Sequence, residues 1–213
     1  SIAHGNIVLA DHGLTIAGES LGEVPAPQIL LPPDSGADCC QRPPPEFARP
    51  RFRPSLKGEP LTQASPYDSA QPASKSLGVD PTAALAAIVL KSTLVADTSE
   101  WKPQRDLLGS ASDATEFVVE IENDGVAFLR FGDDEYGQLP DPETAFKATY
   151  RVGNGSAGNV GAETLAHIVS NDSGVTAVRN PLPAAGGVDP ETMADIRRDA
   201  PQAFRTQKRA VTE

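Results

Sequence analysis

The sequence is poor in aromatic residues and in cations. Aromatic residues make up 5% of the 213 positions, and 18 Lys and Arg residues are outnumbered by 29 Asp and Glu residues, for a net charge of −11. An acidic chain is repelled by phosphate backbones, so we predict no nucleic-acid partner. No apolar run approaches the roughly 18 residues of a transmembrane helix, and no basic segment followed by an apolar stretch opens the chain. We therefore predict neither membrane insertion nor a signal peptide.

Cysteine is equally scarce, and the two cysteines are adjacent, at Cys39 and Cys40. Neighbouring cysteines rarely form a disulfide with each other, because closing so small a ring strains the peptide bond. No nearby histidine or second cysteine pair completes a set of zinc ligands. We predict two reduced thiols in a loop.

Proline and glycine are abundant, with 20 and 18 residues, which excludes a helical bundle, a coiled coil and a collagen-like chain. Thirteen of the prolines lie between Pro25 and Pro81. Because proline fixes φ and lacks an N–H group, we predict an extended arm there rather than a long helix or a central strand. Composition divides the chain into an N-terminal β-strand region (1–24), a proline-rich arm or linker (25–91), a β-rich domain (92–185) and a helical segment (186–213).

Alternation of apolar and polar residues predicts the strands. The clearest signal lies at residues 115–131, where apolar side chains alternate with glutamates and the sequence around Gly125 supplies a tight turn. We predict a hairpin there, with one buried and one acidic face. The same reasoning predicts a hairpin or pair of edge strands over residues 6–24, and further strands at residues 145–152, 164–170 and 174–180.

The C-terminal segment has the signals of a helix. Asp189 suits the N-cap, Pro190 the first helical position, and basic residues in the last turn complement the helix dipole. Pro201 ends this helix or begins the next one, over residues 202–210. Strands followed by helices predict an α+β fold that is mainly β, with antiparallel hairpins, a long proline-rich extended arm and short C-terminal helices.

A glycine-rich loop matches the GxGxxG pattern of dinucleotide sites through Gly153, Gly155 and Gly158. A dinucleotide site needs a helix that begins within the loop, and Gly161 would lie in the first turns of that helix. The remaining residues, 159–213, are too few for the rest of a doubly wound sheet. We interpret the loop as a turn in which two backbone segments approach closely.

The other candidate chemistry is weaker. The run Asp133–Glu135 does not have the spacing of a calcium loop, and we predict a solvated turn between strands. His4, Asp11 and His12 offer metal-ligand types, but Asp-His-Gly is more typical of a turn. His167 is predicted to be a packed core residue in a strand. We predict no metal, no cofactor and no catalytic residue.

Charge is distributed unevenly along the chain. Residues 113–143 contain ten acidic residues and one base, whereas basic residues dominate the end of the sequence. Opposite signs suit docking between neighbouring copies or subunits, and two solvated faces are the alternative. In residues 49–56, three arginines alternate with other residues around Phe52, which suits contact with an acidic surface of a neighbouring protein. A free basic linker is the alternative. The interface candidates are Arg49, Arg51, Phe52, Arg53, Gly153, Gly155, Gly158, Arg197 and Arg198.

Five motifs occur along the chain in this order: RDLLGS (105–110), IENDGVAFLRFGDDEYGQLP (121–140), TYRVGNGSAGNVGAETLAHIV (149–169), NPLPAAGGVDPETMADIRRDAP (180–201) and RAVT (209–212). Their combination closely resembles the baseplate assembly proteins of contractile phage tails and phage-tail-like injection systems, the J-like baseplate wedge family. NIVLADHG (6–13) resembles the start of the same region. The resemblance covers residues 1–24 and 92–213.

The resemblance implies a mechanical role rather than an enzymatic one. Wedge subunits of this family surround the central spike hub, usually in six copies, and connect it to the sheath and to peripheral components. They rearrange when the sheath contracts. The resemblance therefore implies assembly in the bacterial cytoplasm, with other wedge subunits, spike or hub proteins and sheath or sheath-adaptor proteins as partners. It also implies a further domain after RAVT.

Two other classes of function stay open on the sequence. One is a cofactor-binding or hydrolytic domain that uses the Gly153–Gly158 loop or the Asp133–Glu135 turn. The other is a sugar- or surface-binding β module. That module needs an exposed aromatic platform, for which Trp101 and three tyrosines offer little material.

Overall fold

A computed structural model describes residues 8–30, 46–65, 70, 72, 80–153, 155–169 and 174–205. The described chain is mainly β, as the sequence predicts. It divides into two compact units, residues 1–153 and 154–213. Cys39, Cys40 and His4 lie outside the described residues.

The first unit contains all the described strands, and six of them form one sheet in the order β1-β10-β6-β7-β8-β9. Neighbours are antiparallel except for β7 and β8, which are parallel. Two ribbons, β2–β3 and β4–β5, are separate two-stranded sheets. The strands are β1 (Leu14–Glu23), β2 (Gln28–Leu30), β3 (Glu46–Ala48), β4 (Gln63–Ala64), β5 (Leu85–Ala86), β6 (Ile88–Leu94), β7 (Asp97–Gln104), β8 (Glu116–Ile121), β9 (Ala127–Phe131) and β10 (Ala145–Val152).

The hairpin predicted at residues 115–131 is confirmed as β8 and β9. Gly125 has a φ of 88°, which favours glycine, and the Gly125 N–H donates to the Glu122 carbonyl at 2.9 Å. One face is buried at Phe117, as predicted, but Ile121 at the end of β8 is half exposed. The strand predicted at residues 145–152 is confirmed as β10.

Of the hairpin or pair of edge strands predicted for residues 6–24, one edge strand is confirmed as β1, and the described residues 8–13 form no second strand. β1 pairs with β10, more than 120 residues away, and Val8 is exposed outside any strand. The reason is burial: β10 places Phe146, Ala148 and Tyr150 inside the core, and Ile16 and Leu21 of β1 pack against that core.

The few aromatic residues are concentrated in one core. The Phe131 ring lies 4.9 Å from the Phe146 ring, 5.2 Å from Trp101 and 5.8 Å from Phe52, measured between ring centroids. Trp101 is buried and its indole N–H donates to the Ser92 hydroxyl at 2.9 Å. Trp101 is therefore a core residue and cannot form an exposed sugar-binding platform.

The second unit differs from its prediction. Residues 164–169 and 174–180 form no strand, and His167 is exposed rather than packed in a core. Their backbone groups bind elsewhere: the Glu163 N–H donates to the Asn180 carbonyl, and the Leu165 N–H to the Asn180 side chain. These bonds to Asn180 take the place of a strand ladder.

The helix α1 (Met193–Arg205) begins later than predicted and continues through Pro201. Thr192, rather than Asp189, is at its N-terminus. The Thr192 hydroxyl accepts the Asp195 N–H at 3.2 Å and donates to the Asp195 carboxylate at 2.6 Å, a reciprocal cap. None of the helices in the described part of the chain has the length and apolarity that crossing a bilayer requires.

Candidate functional site

Residues 49–62, here called the strap, run from β9 to β10 of the main sheet. The Leu129 N–H of β9 donates to the Pro54 carbonyl, and the Leu56 N–H donates to the Ala127 carbonyl, both at 2.9 Å. At the other end of the strap, the Thr62 N–H donates to the Arg151 carbonyl of β10 at 3.0 Å. The strap therefore supplies backbone partners to β9, at one end of the strand order, and to β10.

Phe52 packs the strap against the hydrophobic core. Its ring stacks on Phe131 at 5.8 Å and on Phe146 at 5.5 Å, and Leu56 and Leu61 of the strap are buried in the same core. A proline-rich sequence is compatible with this position because the strap forms only single bridges to the sheet. This part of the predicted arm is thus packed on its own chain.

Arg53 binds the acidic face of the β8–β9 hairpin. Its guanidinium donates to the carboxylates of Glu120 and Glu122, each at 2.8 Å, and lies 4.4 Å from the centre of the Phe128 ring. Arg130 donates to the second oxygen of Glu120 at 2.6 Å. The Glu120 and Glu122 carboxylates of this face therefore have intramolecular cation partners.

These contacts change the acidity of Glu120. The hydrogen bond from Arg130, followed by the one from Arg53, lowers the pKa of the Glu120 carboxyl below its usual value. Stability from this pairing is present above the unfolded pKa of the carboxyl and is lost as the pH falls through the lowered folded value. The ion pairs of Glu120 with Arg53 and Arg130 therefore stabilise the position of the strap at neutral pH and lose that effect in acid.

The remaining basic candidates of the strap are more exposed. Arg49 lies 4.0 Å from the Asp134 carboxylate, and Arg51 is exposed. The structure brings Phe52 and Arg53 into one site with the β8–β9 hairpin and leaves Arg51 on the surface. Contact of these residues with a partner protein stays a prediction.

The acidic turn between β9 and β10 has the predicted turn conformation. The Asp133 carboxylate accepts the N–H groups of Tyr136 at 2.8 Å and Glu135 at 3.1 Å, which lowers the pKa of Asp133. Asp134 has a φ of 70° and its carboxylate accepts the Leu139 N–H at 2.9 Å. The two aspartates therefore cap backbone amides of their own turn.

The glycine-rich loop is built around a close backbone contact, as predicted. A Cβ at Gly155 would lie 2.1 Å from the Val188 carbonyl oxygen, and one at Gly187 would lie 1.8 Å from the Gly155 carbonyl oxygen. A Cβ at Gly153, in the first unit, would lie 3.1 Å from the Cα of Gly13. Only a three-residue 3₁₀ helix, Ser156–Gly158, follows Gly155, so no α-helix begins in this loop.

Side-chain hydrogen bonds stabilise the same backbone contact between Gly155 and Gly187–Val188. The Asn159 side chain donates to the Gly187 carbonyl at 2.8 Å and accepts the Gly187 N–H at 2.9 Å. The Asp189 carboxylate accepts the Ser156 N–H at 2.9 Å. Hydrogen bonding to the Ser156 side chain, and secondly to this amide, lowers the pKa of Asp189. We call Gly155, Ser156, Asn159, Gly187 and Asp189 the glycine clasp. Asp189 therefore serves this clasp and not a helix N-terminus.

Asn180 makes a second set of backbone contacts in the same unit. Its side chain accepts the Leu165 N–H at 2.8 Å and donates to the carbonyls of Gly161 at 2.8 Å and Leu182 at 3.1 Å. The sequence interpretation missed Asn159, Asn180 and Thr192. Periodicity gives no signal for the two asparagines, because an amide that binds backbone 15 to 28 residues away leaves no local pattern. Thr192 does have a local signal, the Thr-x-x-Asp spacing to Asp195 that is typical of a helix N-terminus.

The basic candidates of α1 are separate from the clasp contacts. Arg198 pairs with Asp199 at 2.9 Å and with Asp195 at 3.0 Å, and these carboxylates, Asp199 first, raise its pKa. Arg197 is exposed, and no ion pair is described for it within residues 174–205. Arg197 is the freer cation of the two.

The second unit exposes apolar side chains along its whole length. No side chain described between residues 155 and 201 is buried, and Val169 is fully exposed. A folded unit that has hydrogen-bonded backbone contacts but no buried apolar core is unusual for an independent domain. The larger exposed apolar residues are Leu165, Ile168, Val169, Val175, Val178, Leu182, Val188, Met193 and Ile196.

The described residues offer little catalytic chemistry. They contain no group of three or more histidine, cysteine or acidic residues that could bind a metal ion. A groove of about 630 Å³ lies beside the RDLLGS motif. There the Glu116 carboxylate accepts hydrogen bonds from Gln104 at 2.7 Å and from the Ser110 hydroxyl at 2.5 Å. No histidine lines this groove to act as a base for Ser110.

We compared the chain with protein-family models, with curated proteins and with solved structures. None of the three comparisons found a match.

Proposed function

We propose that this chain is a structural wedge subunit of the baseplate of a contractile phage tail or injection system. It would be assembled in the bacterial cytoplasm, in six copies around the spike hub. It would connect the hub to sheath or sheath-adaptor proteins and to peripheral components, and transmit the contraction trigger. The ordered series of motifs at residues 105–110, 121–140, 149–169, 180–201 and 209–212 is the sequence support for this role.

The exposed apolar residues of the second unit are the structural observation that carries the proposal. Two asparagines and an aspartate fasten its backbone, yet Val169, Leu182 and Val188 are exposed by more than half. Apolar surface of this extent favours coverage by another protein. A subunit that completes its core against neighbours in an assembly fits that requirement.

A cofactor-binding or hydrolytic role has less support. In a dinucleotide site, free backbone amides at a helix N-terminus bind phosphate. Here the Ser156 amide already donates to Asp189, and the Asp133 and Asp134 carboxylates already accept backbone amides. The Ser156 amide that would bind a phosphate, and the aspartates that would act in hydrolysis, are thus already hydrogen-bonded within turns and loops of the chain.

Electron microscopy of antibody-labelled particles tests the proposed role. An antibody against the exposed β9–β10 turn, around Glu135 and Tyr136, is applied to contractile particles from the producing bacterium. We expect label at the baseplate end of extended particles, and sheaths and tubes without baseplates when the chain is deleted. Normal, contractile particles from the deletion strain would refute the role.

A further inference from the structure

Three lysines lie together on the exposed face of the main sheet. Lys147 of β10 is directly paired with Lys91 of β6, and Lys91 with Glu100 of β7, so these side chains form one row on the same face. Lys102 lies on that face as well, because it alternates along β7 with the buried Trp101. All three lysines are exposed. We call Lys91, Lys102 and Lys147 the lysine cluster.

The direct pairing of Lys91 with Lys147 is unfavourable within the chain itself. Like charges directly opposite each other on neighbouring strands destabilise a sheet. Among the described residues, no carboxylate forms an ion pair with the cluster, and Glu116, in register with Lys102, instead accepts hydrogen bonds from two neutral side chains. The cluster also holds three of the six lysines of a chain whose net charge is −11. The fold therefore concentrates scarce cations where they repel one another.

Protection of a sheet edge does not account for these lysines. Lysines often occupy edge strands, where they prevent pairing with another sheet. β6 and β10 are interior strands, each with a hydrogen-bonded neighbour on both sides. An unfavourable contact that brings no local benefit is typical of a functional position.

We propose that the lysine cluster binds an acidic segment of a partner protein. A carboxylate placed between Lys91 and Lys147 removes their repulsion, and Glu100, next in the same row, suits a cation of that segment. Charge complementarity thus fixes the pattern of the partner surface, which is acidic opposite the two lysines and basic opposite Glu100. The inference does not require the baseplate role, since any assembly of this chain can supply such a surface.

The shape and charge of the face favour a protein over other anions. Small-molecule sites are concave, and the cluster lines neither the groove beside the RDLLGS motif nor the groove along β5 and β6. A nucleic acid would meet Glu100 in the same row and the net negative charge of the whole chain. A protein surface can present carboxylates and a cation side by side.

Zero-length crosslinking of the native complex tests the proposal. The tagged full-length chain is purified with its partners from the producing bacterium, and a carbodiimide joins lysine amines to carboxylates that are in direct contact with them. We expect amide links from the lysine cluster to aspartate or glutamate of another protein chain. Lys57, an exposed lysine of the strap, is the internal control and is expected to give no such link.

A double variant, Lys91→Gln with Lys147→Gln, separates binding from stability. It removes the like-charge contact, so the urea midpoint of the free chain is expected to stay unchanged or rise. The affinity for the partner identified by crosslinking is expected to fall at least about tenfold in a calorimetric titration. Lys57→Gln is expected to change neither quantity. A lower midpoint with unchanged affinity would assign the two lysines a structural role only.

The other outcomes overturn the proposal. Links only to carboxylates of the same chain, such as Glu100, would show that the cluster is neutralised internally. Equal acetylation of the three lysines in the free chain and in the complex, or a chain that purifies alone, would show that nothing covers the face. Protection without any carboxylate link would indicate a nucleic acid or a lipid instead. Particles with the antibody label but no intermolecular link would refute this contact and leave the baseplate role intact, whereas such links in material without baseplate label would support the contact and refute that role.

Discussion

Replacing Phe146 with alanine is expected to lower the free energy of unfolding of the first unit by about 3–5 kcal/mol, the cost of a large cavity in a packed core. Phe146 has no exposed surface, and its ring lies 4.9 Å from Phe131, 5.5 Å from Phe52 and 5.6 Å from Trp101. It therefore joins the strap to the sheet. The loss removes one partner from each of three aromatic contacts at once.

Urea denaturation followed by Trp101 fluorescence measures this effect, since the indole contacts the substituted ring. Phe47→Ala is the matched control, because Phe47 is 70% exposed and its truncation is expected to change stability by less than about 0.5 kcal/mol. Equal midpoints for Phe146→Ala and Phe47→Ala would mean that the aromatic cluster is not the core of this unit.

Replacing Gly187 with alanine is expected to open the glycine clasp. The new Cβ would lie 1.8 Å from the Gly155 carbonyl oxygen, so the two backbone segments must separate and the bonds from Asn159 to Gly187 must lengthen. An overpacked backbone contact costs about 2 kcal/mol, which corresponds to roughly thirtyfold faster exchange of the clasp amides.

Amide hydrogen exchange of Ser156 and Gly187 measures the opening, because both N–H groups are donors in the clasp. Gly161→Ala is the matched control: its Cβ would meet only the Thr164 methyl group, at 3.5 Å, an ordinary contact. Unchanged exchange in Gly187→Ala would show that the close approach is not required. Restoration of wild-type exchange by a dinucleotide would instead favour the cofactor-binding alternative.

Features that depend on neighbouring residues could be predicted from the sequence. The β8–β9 hairpin is confirmed because its strands and the Gly125 turn lie in one short segment, where alternation and turn chemistry agree. β10 is confirmed for the same reason. The close backbone approach at Gly155 is confirmed. It could be predicted because a GxGxxG motif without a following α-helix cannot form a dinucleotide site, and a tight turn is then the main role left for its glycines.

Features that depend on distant partners could not be predicted. β1 pairs with β10, and nothing local in residues 6–24 indicates that partner. Arg53 binds the hairpin acids Glu120 and Glu122 of its own chain, more than 60 residues away, and its charge alone does not indicate that pairing. Apolar residues at 164–170 and 174–180 predict strands, but the Asn180 side chain accepts the Leu165 N–H, a donor that a strand ladder would need.

The central claim is that neighbouring proteins cover the apolar side chains of the second unit. Hydroxyl-radical footprinting of the free chain and of intact particles tests it most directly, because the label reports side-chain exposure. We expect labelling of Val169, Leu182 and Val188 to fall severalfold on assembly, while Leu90, which has no exposed surface, stays unlabelled in both. Equal labelling of these three residues in the free chain and in the particle would contradict the account.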